Sequence, residues 1–168
     1  LGCVLLFSFC VQVRSGWVMD QDEILLDANA HVYWYEAGAS AALSGAICRV
    51  LPGQRGIFSV EDVRAALRPV DVHFPPTRLI CAENTHNRGG GAIWPIEQLR
   101  QVCQVAQEAG IATHLDGARL WNASIATGIA ESEYARDFDS VSVCFSKGLG
   151  APIGSVRSEE HTSELQSP

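Results

Sequence analysis

Lysine is almost absent from this sequence. Of 12 basic side chains in 168 residues, 11 are arginine and one is lysine, Lys147. Arginine meets the need for positive charge, but its guanidinium does not give up a proton to become an amine nucleophile. The single lysine is therefore a candidate for imine chemistry, although composition alone gives it no role. Methionine is as scarce, with Met19 the only one. Basic clusters are missing too. With 19 acidic residues against 12 basic ones, the net charge of −7 disfavours nucleic acid as a partner. The six cysteines (3, 10, 48, 81, 103 and 144) form no C-x-x-C pair and show no Cys/His zinc spacing, so no metal centre is expected. They sit in apolar runs such as Ser140–Phe145, as free thiols of a reducing compartment do. The apolar stretch Leu1–Val13 is too short to span a membrane. It also lacks a basic n-region and a small-residue cleavage site.

What is present suits a packed domain. Hydrophobic residues make up 47% and charged residues 18%, enough to exclude wholesale disorder. From Glu23 to Ser155, short β-rich runs alternate with helical patterns. Strands are expected at Glu23–Asp27, Arg78–Ala82, Ile111–Leu115 and Ser140–Phe145. A short helix is expected over Ser59–Leu67, with Ser59 as cap and Asp62 three residues on. Pro95–Ala109 has the clearest helical period. Pro95 suits its first turn, Ile96, Leu99, Val102, Cys103 and Ala106 share a face, and Gly110 ends it. A further helical pattern covers about 118–126. This order predicts an α/β fold with a mostly parallel sheet flanked by helices. Ligands of such sheets gather at the carboxyl ends of the strands. Asp116 follows one strand directly, and Lys147 follows another after Ser146.

Two segments carry the chemistry. In His114-Leu115-Asp116-Gly117-Ala118-Arg119, a carboxylate and an arginine stand at one strand end. In Phe145-Ser146-Lys147-Gly148, the lysine lies between small residues that let backbone approach a ligand. A Schiff-base lysine with a carboxylate for a pyridinium nitrogen needs this pair of groups. Taken alone, a strand-end lysine is more often a solvated charge, and Arg119 could simply pair with Asp116.

Together with AHVYWYEAG at 30–38 and ENTHN at 83–87, the stretches HLDGARLWNA (114–123) and SVSVCFSKGLGAPIGS (140–155) resemble the low-specificity L-threonine aldolases. The resemblance runs from about Asp22 to Val156. It implies part of the large domain of a fold-type I enzyme dependent on pyridoxal 5'-phosphate, with the small C-terminal domain missing. Lys147 matches the lysine that holds the cofactor, Asp116 the carboxylate on the pyridine nitrogen, and His31 the histidine stacked on the cofactor ring. Arg119 matches an arginine for the substrate carboxylate, and His73 a second histidine near the substrate hydroxyl. Glu83, Asn84 and Asn87 are expected to line or support the pocket, His86 and His114 to be structural, and Gly89–Gly91 to form a flexible turn.

The implied substrate is a small β-hydroxy-α-amino acid, cleaved to glycine and an aldehyde by a cytoplasmic homo-oligomer. Another pyridoxal-phosphate lyase, such as a β-eliminating one, and a non-catalytic truncated product are the alternatives. Residues 1–18 show nothing like the family's Gly-Thr-rich phosphate segment and are expected to be a gene-model artefact. Residues 19–156 form the partial large domain. Residues 157–168, RSEEHTSELQSP, resemble a translated sequencing adapter and are expected to have no evolved fold.

Overall fold

A computed structural model describes residues 21–159. The expectations for residues 1–18, and for the tail beyond residue 159, lie outside them. Six strands form one sheet: β1 (Glu23–Asp27), β2 (Ile47–Leu51), β3 (Thr77–Glu83), β4 (Ala112–Gly117), β5 (Ser140–Cys144) and β6 (Ser155–Glu159), in the order β2-β1-β3-β4-β5-β6. The first five strands run parallel, and β6 pairs antiparallel to β5. The last strand thus takes in residues 157–159, ahead of the rest of the tail.

The four expected strands are present: β1 has the expected bounds, β3 gains a residue at each end, β4 starts one residue later and ends two later, and β5 ends one residue earlier. Parallel neighbours need crossovers, and helices supply them. The connections carry α1 (His31–Tyr35) and α2 (Ala39–Ser44) before β2, then α3 (Val60–Ala66) before β3. Next come α4 (Ile96–Glu108) before β4, and α5 (Leu120–Thr127) and α6 (Glu131–Ala135) before β5.

Local chemistry explains the helix ends that the sequence revealed. At α3, Ser59 Oγ accepts the Asp62 N–H at 3.0 Å, while the Ser59 N–H donates to Asp62 Oδ2 at 2.8 Å, a complete capping box. Pro95 stands one place before α4 as its cap instead of inside the first turn. Gly110 ends that helix at φ +66°, a conformation that suits a residue without Cβ.

Strand alternation sends side chains to two cores. Leu25, Ile80, Ala82 and Leu115 pack with Val63, Leu99, Val102, Ala106, Leu120 and Ala123 of the helices. Ile24, Leu26, Leu79 and Cys81 pack on the other face with Ala30, Val32 and Ala46. With both faces covered, β1 is buried at every position, as a central parallel strand should be. None of the helices among the described residues is long and apolar enough to cross a membrane.

Candidate active site

Because β1 to β5 are parallel, their carboxyl ends share one edge of the sheet. Asp27 ends β1, Glu83 ends β3, and Cys144 ends β5. Asp116, next to last in β4, is the register partner of Glu83 on one side and Ser142 on the other. It is 3% exposed, and its Oδ1 accepts the Ala118 N–H at 3.1 Å.

Lys147 leaves the same edge three residues after β5. Its loop is closed at the base, where the Phe145 N–H donates to the Gly154 carbonyl at 2.9 Å and the Ala151 N–H to the Phe145 carbonyl at 3.0 Å. Phe145 packs its ring on Trp121 of α5, with centroids 5.8 Å apart. Gly148 lies so close to this helix that an added Cβ would come within 2.9 Å of Asn122 Oδ1. The lysine therefore sits on a tethered turn.

His31 opens α1, just past the end of β1. Its helix has no side-chain cap of its own. Glu83 supplies one from the neighbouring strand, Oε2 accepting the His31 N–H at 2.8 Å and Oε1 the Asn87 N–H at 2.8 Å. One buried carboxylate thus pins the His31 segment and the loop after β3 to the sheet, beside Asp116. Burial first, and then the charge of Asp116, push the Glu83 carboxyl up from its ordinary value.

The charged groups converge electrostatically. Glu36 raises the pKa of His31 by a side-chain hydrogen bond, against the opposing effect of burial. Asp116 raises it further and Lys147 lowers it. Cys144 is pushed up by burial and feels Lys147, Asp116, Arg119 and Glu36 as well. The amine and the two carboxylates thus bear on both His31 and Cys144, and the arginine on Cys144, at one edge. Arg119 precedes α5 as its N-cap residue. Among the described residues no ion pair joins it to Asp116, so its guanidinium is not committed to that carboxylate.

His73 is not brought there. It lies exposed in the turn before β3, its backbone N–H on Asp71 Oδ1 at 2.8 Å. A residue that precedes a parallel strand stands toward the amino edge, so within this chain His73 lies apart from Asp116 and Lys147. His86 is fully buried, with Nε2 3.4 Å from Asp27 and 3.6 Å from Glu83 and Nδ1 accepting the Gly89 N–H at 2.9 Å. Glu36 was given no role by sequence reasoning. Its signal was weak, a lone carboxylate at the end of an aromatic run.

A family model described as beta-eliminating lyase matches residues 11–159. The chain belongs to the beta-eliminating lyase family. Among the curated members it resembles is the low-specificity L-threonine aldolase of Candida albicans, 46% identical over 150 residues. The match covers 87% of this chain and 39% of that relative, so this chain spans about two fifths of its length. A solved threonine aldolase from Leishmania major superposes with a TM-score of 0.69 at 23% identity, over 79% of this chain and 39% of the other. The pyridoxal-phosphate-bound C–S lyase of Staphylococcus hominis superposes with a TM-score of 0.59 at 18% identity, over 92% and 39%. Both structural likenesses speak for a shared fold.

Proposed function

We propose that this chain is the cofactor-binding part of a pyridoxal-phosphate-dependent threonine aldolase. Such a lyase cleaves L-threonine or L-allo-threonine to glycine and acetaldehyde. One observation carries the reading: the buried Asp116 carboxylate near the end of β4 and Lys147, three residues beyond the end of the neighbouring parallel strand β5, stand at a single sheet edge.

The residues fit the cofactor. A buried carboxylate held by a backbone N–H is what a protonated pyridine nitrogen needs as a partner. His31 has a buried Nδ1 with no hydrogen-bond partner, an atom that a bound group can satisfy. Bound there, pyridoxal phosphate supplies the electron sink for the pair released when Cα–Cβ breaks. Lys147 would anchor it, Asp116 would keep the ring nitrogen protonated, and His31 would lie against the ring. Arg119 would take the substrate carboxylate in its planar fork.

The acting enzyme is further proposed to be a cytoplasmic homo-oligomer. The exposed aromatic run Tyr33, Trp34 and Tyr35 beside the site supports an interface there.

Borohydride reduction of the full-length gene product with pyridoxal phosphate, followed by peptide mapping, tests the reading. Label at Lys147 and its loss in Lys147→Arg are expected. Label at any other amine, or none, would overturn it. The description of the matching family favours one second reading, β-elimination. Glycine plus an aldehyde from threonine marks aldol cleavage, and ammonia plus an oxo acid marks elimination. Turnover by the 168-residue chain itself would rule out an inert truncated product.

A further inference from the structure

Glu36 is 2% exposed although it directly follows three exposed aromatics. The backbone turns sharply there, with Ala37 at φ +52° and Gly38 at φ +70°. The chain turns off directly after Glu36, and the carboxylate lies against His31 instead of out in water. Burying a carboxylate is costly unless it meets a positive or donating group. Here Oε1 lies 3.4 Å from His31 Nε2, five residues back. The His31 ring is held from other sides as well. Tyr35 packs on it at 5.1 Å between centroids, and Glu83 fixes its backbone. Its second nitrogen, Nδ1, is buried with no partner.

An imidazole has one proton to place when neutral. Facing a carboxylate, that proton belongs on the facing nitrogen, and the other nitrogen keeps its lone pair. We propose that Glu36 is a positioning residue for His31. It holds the ring proton at Nε2 and leaves Nδ1 as the ring atom free to meet an oxygen of a bound ligand. In the neutral ring Nδ1 accepts from a ligand hydroxyl. In the protonated ring it donates to a ligand oxygen, which relieves an otherwise unsatisfied buried N–H. The consequence for catalysis rests on the function proposed above, whereas the state of the dyad itself does not.

The groups that face His31 are Glu36 at the end of its own helix, Glu83 from β3, Asp116 from β4 and Lys147 from the loop after β5. The two that raise its affinity for a proton, Glu36 and Asp116, outweigh Lys147 and burial.

Imidazole 15N NMR on the 168-residue chain without cofactor reads this directly, with the His31 signals assigned by their loss in His31→Gln. In the unsubstituted chain, His31 should titrate above the ordinary 6.5. Its neutral form should show a protonated Nε2 and a bare Nδ1. In Glu36→Gln the midpoint should fall. A neutral form protonated at Nδ1, or a midpoint unmoved by Glu36→Gln, would overturn the proposal. If the variant does not fold, the neutral-form signals of the unsubstituted chain decide alone. Because no cofactor enters, failure here is distinct from failure of the borohydride test.

Discussion

His114 lies in the sheet interior, where its ring nitrogens meet Ser140 Oγ at 2.8 Å and Ser142 Oγ at 3.3 Å. Burial, and then the charge of Arg157, lower its pKa to about 3. Between the ordinary 6.5 and about 3 the unfolded chain binds a proton that the folded chain refuses. Stability therefore falls as pH drops through that window. At 1.36 kcal/mol per unit, the loss amounts to at most roughly 5 kcal/mol. Urea unfolding at pH 7 and pH 4.5 should show it, and His114→Gln should shrink the difference between the two. Glu83 has the opposite sign. Its raised pKa means that the folded state favours the neutral acid, so its ionisation opposes folding as pH rises above 4.5. At the candidate site, Asp116→Asn keeps size but loses charge. It should cut turnover of the full-length product by about a hundredfold or more, read as kcat, with folding intact by circular dichroism. The strand-end positions of Lys147 and Asp116 were legible in the sequence because each follows a β-rich run. The overlooked Glu36, and a His73 that this chain holds toward the other edge, show the limit. Neither a fold-back at residues 37 and 38 nor the edge a turn belongs to is written in composition.

Elements whose ends are set by neighbours in sequence were readable, and those set from afar were not. The capping box of α3 lies within four residues, and Ser59→Ala should cost about 1 kcal/mol in chemical denaturation. By contrast, α1 is five residues of aromatic and β-branched character, a poor helix by propensity. Its first N–H is taken by Glu83, 52 residues away in sequence. The edge strand β2 escaped notice for another reason, since its burial follows no clean alternation. The end of β4 is tightly built. A Cβ on Gly117 would lie 2.9 Å from the Ser142 carbonyl oxygen and 3.3 Å from Leu120 Cβ. Backbone cannot yield as a flexible side chain can, so Gly117→Ala should destabilise by about 1–3 kcal/mol. It should also displace Asp116, which would appear as weaker binding of pyridoxal phosphate in an absorbance titration.

At the level of the whole molecule, the sheet of the described residues ends at β2 and β6, with no further described strand on either edge. On β2, Ile47 and Val50 are 49% and 41% exposed, and on β6 Val156 is 48% exposed. Unpaired strands with apolar side chains invite pairing between molecules. The 168-residue chain should therefore self-associate as concentration rises, measured by light scattering, and Val50→Lys on the β2 edge should suppress this. The alternation of strands and helices revealed the α/β architecture and the parallel core. The order of the strands depends on long-range pairing that no local window contains. That order has a consequence for synthesis. The imidazole-bearing helix leaves the ribosome more than a hundred residues before the amine, and β5, the strand that delivers the amine, is the last parallel strand to be made among the described residues. A nascent chain halted after α6 already owns most of the hydrophobic interior of the described residues, yet Lys147 has still to be made. Imine formation at Lys147 should become possible only once β5 has emerged and zipped against β4.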